Sequence, residues 1–552
     1  MTSEIRPFDL RKSDTISLVF FTLAFWFIPL TQLNFLEFIP GDIGDSRLNN
    51  YFLENIYQFF FGSSDSLWHL PFFAPFSYVG GFSDNHFGSS FIYIAYRLLG
   101  EQPFDAFQLW FLSGYAVNFF SAYYVLRRLG GSTIASSLGA LVFAFAFPTT
   151  AHANHVQLHY RFGIPLSLFY FSCYCIEKTP RHFWVAMVWL VWQLYAGIYM
   201  GFFTAFLLFS VFISSVVYER QILKKISLYD IIRSYFTPLY HAYQRNSVKI
   251  LLYLAMIIVA LVVLFFPYLM VKLQYGFGRG WSEISLMMPR LQSYLISDVS
   301  IWWGGIEGPS FNLPLRHEHQ MFPGLFAVAL GFFGVIVYFR NQSRWVGFNF
   351  LGASCIVFVL TLSIFGYSLW FLLHKFPIVS AIRAVCRVDQ ALLFPLSYFV
   401  AIGVDYFIKK EKIWFKLIPI GIAFLLLLEY SSVRMPKSAK SEWDDRLSAV
   451  TSEMPEDISM YEFLFVGKDK DALWYAHELD AMWAGMTSGL VTLNGYSGNV
   501  PPGYSFDYGR NCVEIDRRIE AYNRFAGDES KVDSLEMKSK TLMIGFQECE
   551  AN

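Results

Sequence analysis

The chain has 552 residues, 55% hydrophobic and only 15% charged, with Lys+Arg 42 against Asp+Glu 43. Together with a mean hydropathy of +0.40, this excludes an ordinary soluble globular domain and predicts that lipid covers much of the surface. A net charge of -1, with no basic stretch interleaved with aromatics, excludes a nucleic-acid partner.

A short head with Arg6, Arg11 and Lys12 leads into the first apolar run, Ile16 to Phe38. It is too long for a secretory leader and no small-residue cleavage site follows, so it is expected to remain as an anchor helix. Further runs of spanning length lie near 105–127, 132–150, 162–178, 183–198, 200–218, 248–271, 321–339, 346–365, 388–408 and 413–430. The sequence therefore predicts a polytopic α-helical membrane protein with about eleven crossings. The pair 183–198 and 200–218 is expected as a hairpin, the alternative being one long kinked helix, and 219–247 is expected to hold a short interfacial helix. Basic residues gather in alternate loops, among them Arg127, Arg128, Lys178, Arg181, Lys409 and Lys410. These loops and the N-terminus are expected in the cytoplasm, with 39–104, 151–161, 272–320 and 366–387 outside.

An odd number of crossings also puts the tail outside. The expected division is a membrane domain over 1–430, its large first outer loop spanning 39–104, and a soluble extracytoplasmic α+β domain over 431–552. Strands are expected in Glu462–Val466 and Leu490–Leu493, and a loop from Asn494 to Tyr504. Of six cysteines, Cys512 and Cys549 sit in polar sequence in this tail and are expected to form a disulfide; the alternative is two free thiols.

The informative residues are polar ones in places that an apolar chain avoids. Just after the first run, Pro40-Gly41-Asp42-Ile43-Gly44-Asp45-Ser46-Arg47 puts two carboxylates on a glycine-loosened turn. Asp42 and Asp45 fit a general base, ligands for a divalent cation, or partners for Arg47; the plainer alternative is a solvated turn with Asp45 or Ser46 capping a helix that starts near Arg47. Asp84 and His86 follow in the same loop, and His155, His159 and Arg161 arrive at the outer end of the third run. Each histidine alone fits a structural hydrogen bond as readily as a site. Arg383 and Arg387, four apart, are expected to share one helix face, suited either to gripping a lipid phosphate or to snorkelling at the interface. Walker, HExxH, GxSxG, CxxC and dinucleotide signatures do not occur, and ionisable residues avoid mid-span positions.

These features together resemble the GT-C superfamily of integral membrane glycosyltransferases, with the acidic motif at Asp42 and Asp45, the outer loop at 39–104 and the soluble domain at 431–552. The chain is also similar to a group of bacterial membrane proteins with a GDxGDxR start, an SDNxxG segment and an NGYSGNxPPGY loop, here Asn494 to Tyr504. Its acidic pair is DxxD rather than the tighter DE or DxD of better-known members, which leaves open which Asp is the base and whether a metal is used. The resemblance implies an inverting transferase in the bacterial cytoplasmic membrane. It would move a sugar from a polyprenyl-phosphate donor to a glycan, lipid or protein acceptor on the outer face.

In that scheme Asp45 or Asp42 is the base and Arg383 or Arg387 meets the departing phosphate. Arg47, Asp84, His86, His155, His159, Arg161, Tyr496 and Asn499 position substrate. No cofactor is required, or a divalent cation such as Mg or Mn sits at Asp42 and Asp45. The competing expectation is a transporter of lipid-linked saccharides or a scaffold for envelope assembly.

Overall fold

Apolar sequence of spanning length can satisfy its backbone polar groups only by closing them into helices, and helices dominate the structure. The computed structural model describes residues 14–62, 64–221, 224, 227–340, 345–376, 379–467, 473–504, 506, 511–527 and 530–545. Each apolar run falls on a helix. Among the described residues, Thr133–Ala151, Ile198–Gln221, Ser247–Tyr275, Val385–Ile408 and Trp414–Ser431 are long and apolar enough to cross a membrane. They sit at different depths. Thr133–Ala151 is 89% buried over its apolar window and lies at the centre of the bundle, whereas Ser247–Tyr275 is only 11% buried and turns Met256, Val259 and Phe266 outward.

The first run ends sooner than its hydropathy suggests. The helix Thr15–Phe25 gives way to a π turn, Trp26–Leu30, around Pro29. Asn34, Phe35 and Leu36 then reverse the chain in the left-handed region, delivering it to a short strand, β1 (Phe38–Pro40). The expected hairpin forms between Pro180–Ala196 and Ile198–Gln221. A Cβ on Gly197 would come within 2.6 Å of the Gln157 carbonyl oxygen, so the turn needs glycine for close approach. The helix Leu228–Arg245 is amphipathic: Tyr229, Phe236 and Tyr240 are exposed while Ile231 and Tyr235 are buried.

The tail returns to the beginning of the chain. Strand β2 (Lys437–Ala439) pairs antiparallel with β1, Phe38 opposite Ala439. Beyond it, β3 (Phe463–Val466) is the centre of a three-stranded sheet between β4 (Val491–Thr492) and β5 (Thr541–Ile544). All pairings in this sheet are parallel, with Phe463 opposite both Val491 and Thr541. This corrects the α+β expectation: the helix Ala476–Ser488 carries the chain from β3 over to β4, the arrangement of an α/β unit.

The tail shares its core with the rest of the molecule. Trp443, Met482, Trp483 and Tyr504 pack in the same apolar cluster as Tyr51, Phe72, Phe73 and Phe104. Trp483 lies edge-on to Tyr51 with centroids 5.8 Å apart, and the amides of Phe73 and Ala74 donate to the carbonyls of Asn494 and Thr492, both at 2.9 Å. The deepest tie is ionic. Arg47, fully buried, donates to Asp480 at 2.5 Å, and Arg446 grips the same carboxylate at 3.0 and 2.6 Å.

Removing one partner of a buried ion pair strands the other charge. Asp480→Asn is expected to lower unfolding stability in detergent by about 3–5 kcal/mol, and Arg446→Gln, with its side chain 25% exposed, by under about 1 kcal/mol. Denaturant melts of both variants check this; equal, small losses would contradict it.

Candidate functional site

The turn after β1 sets the first carboxylates. Gly41 takes φ +81, and a Cβ there would lie 1.8 Å from Ser46 Oγ, so only glycine fits. Gly44 is the N-cap, and Asp45 is the first residue of the helix Asp45–Phe61. The plainer alternative, a side-chain cap from Asp45 or Ser46, does not form: the helix begins at Asp45 itself. A carboxylate on the first turn is favoured by the positive end of the helix dipole. Asp45 Oδ1 accepts the Tyr496 hydroxyl at 2.7 Å, and Oδ2 stands 3.6 Å from His155 Nε2. Its side chain remains 34% exposed. Asp42 does a different job: its Oδ1 accepts the Gly44 amide at 3.1 Å and closes the turn. Burial, then the charge of Asp45, raise Asp42 above its ordinary carboxyl range, while Tyr496 is pushed up first by burial and then by Asp45.

From Asp45 the cluster runs inward through residues on four further segments. His155 Nε2 is 3.7 Å from Glu318 Oε1. Arg387 clasps Glu318 with two parallel bonds, Nε to Oε2 at 3.0 Å and Nη2 to Oε1 at 2.7 Å. The Arg387 guanidinium lies over the Tyr199 ring, 5.0 Å from its centroid. Burial would raise Glu318, but Arg387 and then His155 hold it well below the usual carboxylate range. Burial and then Arg387 lower His155, which favours its neutral form. His152 sits nearby, 4.0 Å from Asp389.

The two arginines expected on one helix face part company. Only short 3-10 turns, Val379–Ala381 and Val385–Val388, form around them. Arg387 points inward and is buried, whereas Arg383 reaches Glu283 at 3.4 Å and sends its backbone amide to the Tyr199 hydroxyl at 3.1 Å. Its side chain stays 34% exposed.

Other residues singled out by sequence hold the fold together. Asp84 is half-buried and caps the helix Ile198–Gln221, accepting the amides of Ile198 at 2.7 Å and Tyr199 at 3.4 Å besides that of Asn85. His86 bonds Asn49 at 2.7 Å with its ring edge-on to Trp110. His159 bonds the Phe111 carbonyl at 2.8 Å and stacks on that ring. Burial pushes both histidines down to about 3. Arg161 donates to the Phe143 carbonyl and Thr149 at 3.0 and 2.8 Å, and Arg47 is spent on Asp480. Asn499 is a latch, donating to the Phe82 carbonyl at 3.1 Å and accepting from Arg279 at 2.8 Å. The structure thus brings together Asp42, Asp45, His155, Tyr496 and Arg387, and sets Arg47, Asp84, His86, His159, Arg161 and Asn499 to structural contacts.

Glu318, Tyr199 and Arg279 are the members that sequence reasoning missed. Glu318 had a signal, the run Arg316-His317-Glu318-His319 in an otherwise sparsely charged loop; Tyr199 had none. Among the described residues no group of three or more His, Cys, Asp or Glu side chains is arranged to hold a metal ion. The Cys512 side chain and Cys549 lie outside the described residues. A cavity of about 420 Å³ opens away from this cluster, between Trp68, His69 and Tyr78 and the outward face of Ser247–Tyr275 at Val263 and Phe266. Comparison of the chain with protein-family models and with curated proteins finds no match.

Asp84 separates capping from substrate contact. Burial lifts its carboxyl from 3.8 to about 6 against the pull of the Ile198, Asn85 and Tyr199 amides. The folded chain therefore keeps this proton where the unfolded chain has lost it, and the group's contribution to stability falls as pH rises from about 4 to about 6. Asp84→Asn, which keeps an acceptor for the amides without the charge, is expected to flatten the thermal midpoint across that window. An unchanged slope would contradict the assignment.

Proposed function

We propose that the chain is an integral membrane glycosyltransferase of GT-C type. It transfers a sugar, with inversion, from a polyprenyl-phosphate donor to a glycan, lipid or protein acceptor outside the bacterial cytoplasmic membrane. The proposal includes about eleven crossings, a cytoplasmic N-terminus and an extracytoplasmic tail. The observation that carries it is the setting of Asp45: a partly open carboxylate at a helix N-terminus, steadied by Tyr496 from the tail and backed by His155, Glu318 and Arg387.

That setting suits a general base. Asp45 removes the proton of an acceptor hydroxyl as its oxygen attacks the anomeric carbon and the bond to the lipid phosphate breaks. Tyr496 fixes one carboxylate oxygen and leaves the rest of the group to face the acceptor. Arg387 and Glu318 neutralise each other, so Arg387 contributes a rigid wall instead of a free charge, and Arg383, partly exposed, is the arginine open to the departing phosphate. Asp42 and Asp45 are the residues that would face a divalent cation such as Mg or Mn; chelation with EDTA and metal re-addition separates transfer that needs a cation from transfer that does not.

The test is transfer in proteoliposomes supplied with a panel of polyprenyl-phosphate hexoses and pentoses. Asp45→Asn is expected to lose about 100- to 10,000-fold in rate. Tyr496→Phe is expected to lose about tenfold, the value of one hydrogen bond to a charged group. Wild-type rates in both Asp45→Asn and Asp42→Asn would overturn the proposal in favour of a transporter or scaffold for lipid-linked saccharides.

A further inference from the structure

A helix that lies along a boundary between protein, lipid and water needs three faces, and Leu228–Arg245 has them. One face holds Ile231 and Tyr235, both buried. Tyr235 latches it to the bundle: the Tyr174 hydroxyl donates to its carbonyl, and its ring stands edge-on to Phe212 with centroids 5.1 Å apart. The Lys178 ammonium lies over the same ring while pairing with Glu219 at 2.8 Å. At 3.6 residues per turn, Tyr229, Ile232, Phe236, Tyr240 and Tyr243 fall on a second face roughly 80° wide. All five are exposed, Tyr229 by 70%, Phe236 by 58% and Tyr240 by 57%. Asp230, Arg233, His241 and Gln244, exposed as well, make up the third, polar face.

Continuity and charge identify what covers the second face. Only Asn246 separates this helix from Ser247–Tyr275, which is 11% buried over its apolar window and exposes Val248, Leu251 and Leu252 in its first turns. The apolar surface of one helix therefore runs on into that of the other, which lipid covers. Between 220 and 249, six Lys and Arg residues stand against Asp230 alone, in a chain whose net charge is -1. Of these, Arg220, Lys224, Arg233, Arg245 and Lys249 are exposed. Tyr and Phe rings flanked by Lys and Arg match the zone between acyl chains and headgroups, where the rings sink and the hydroxyls and cations stay with the phosphates.

We propose that Leu228–Arg245 lies on the membrane surface at this end of the bundle and recognises anionic lipid there. The face from Tyr229 to Tyr243 rests at the acyl boundary, and Arg233, Arg245 and Lys249 meet headgroups that carry a net negative charge. Zwitterionic lipid satisfies the apolar face alone, so the surface charge of the membrane sets how firmly the helix is held. The inference is independent of the reaction assigned to Asp45.

Hydrogen–deuterium exchange of the full chain in nanodiscs reads this segment apart from any activity. The amides of Leu228–Arg245 are expected to exchange at least about fivefold more slowly in discs containing dioleoyl phosphatidylglycerol than in dioleoyl phosphatidylcholine alone, and high salt is expected to remove the difference. The triple variant Arg233→Gln/Arg245→Gln/Lys249→Gln, which keeps good helix formers at these positions, is expected to exchange alike in both discs. Arg233→Lys/Arg245→Lys is expected to keep the wild-type difference, and Phe236→Ser/Tyr240→Ser to exchange faster than the wild type in both discs. Equal wild-type exchange in the two discs, or a difference that survives in the Gln variant, would overturn the inference. So would protection found only in discs that hold two copies of the chain, which would assign the face to a second copy.

Discussion

The buried contact between Arg47 and Asp480 is the constraint from which the rest of the arrangement follows. It joins residues 433 positions apart and fastens the helix that begins with Asp45 to the segment that supplies Tyr496. Leaving either charge unpaired in the interior costs more than the pair itself contributes, so the contact acts less as a source of stability than as a specification of one docking geometry. Arg446 on the same carboxylate, Trp443 alongside at 5.9 Å and the β1–β2 pairing enforce the same placement. Asp45 therefore has its surroundings completed by the far end of the chain.

Around that anchor, charge is distributed by depth. The deep members neutralise one another: Arg387 and Glu318 form a closed pair, and burial beside Arg387 keeps His155 toward its neutral form. Asp42 is spent on its own turn. What is left open is one carboxylate, Asp45, and the Arg383–Glu283 pair, and these are groups that a ligand can reach without breaking a buried pair. A fixed, partly dry setting of this kind strengthens each remaining electrostatic contact relative to water.

Much of the helical framework was legible because hydropathy acts locally: Gly197 marked its hairpin, and Asn494 to Tyr504 its loop. Asp45, His155 and Tyr496 were legible as polar residues without a local reason to be where they are. What sequence could not resolve were long-range partners. Arg47, Asp84 and His159 looked like substrate contacts because Asp480, the Ile198 amide and the Phe111 carbonyl are far away in sequence. Spacing of four suggested a shared face for Arg383 and Arg387, but the chain there forms only single turns, so spacing carries no facing information. The tail read as a domain by its charge density, which reports exposure to water but not that Trp443 and Trp483 sit in a core shared with Tyr51, Phe72 and Phe104.

The central claim is that Asp45 faces the bond that is made. A cryo-electron microscopy map of the chain in nanodiscs with a non-transferable polyprenyl-phosphonate sugar tests it most directly. The account predicts the anomeric carbon beside the Asp45 carboxylate, with room for an acceptor hydroxyl between them and the Tyr496 bond intact. A sugar bound with its anomeric carbon turned away from Asp45, against another carboxylate, would contradict it.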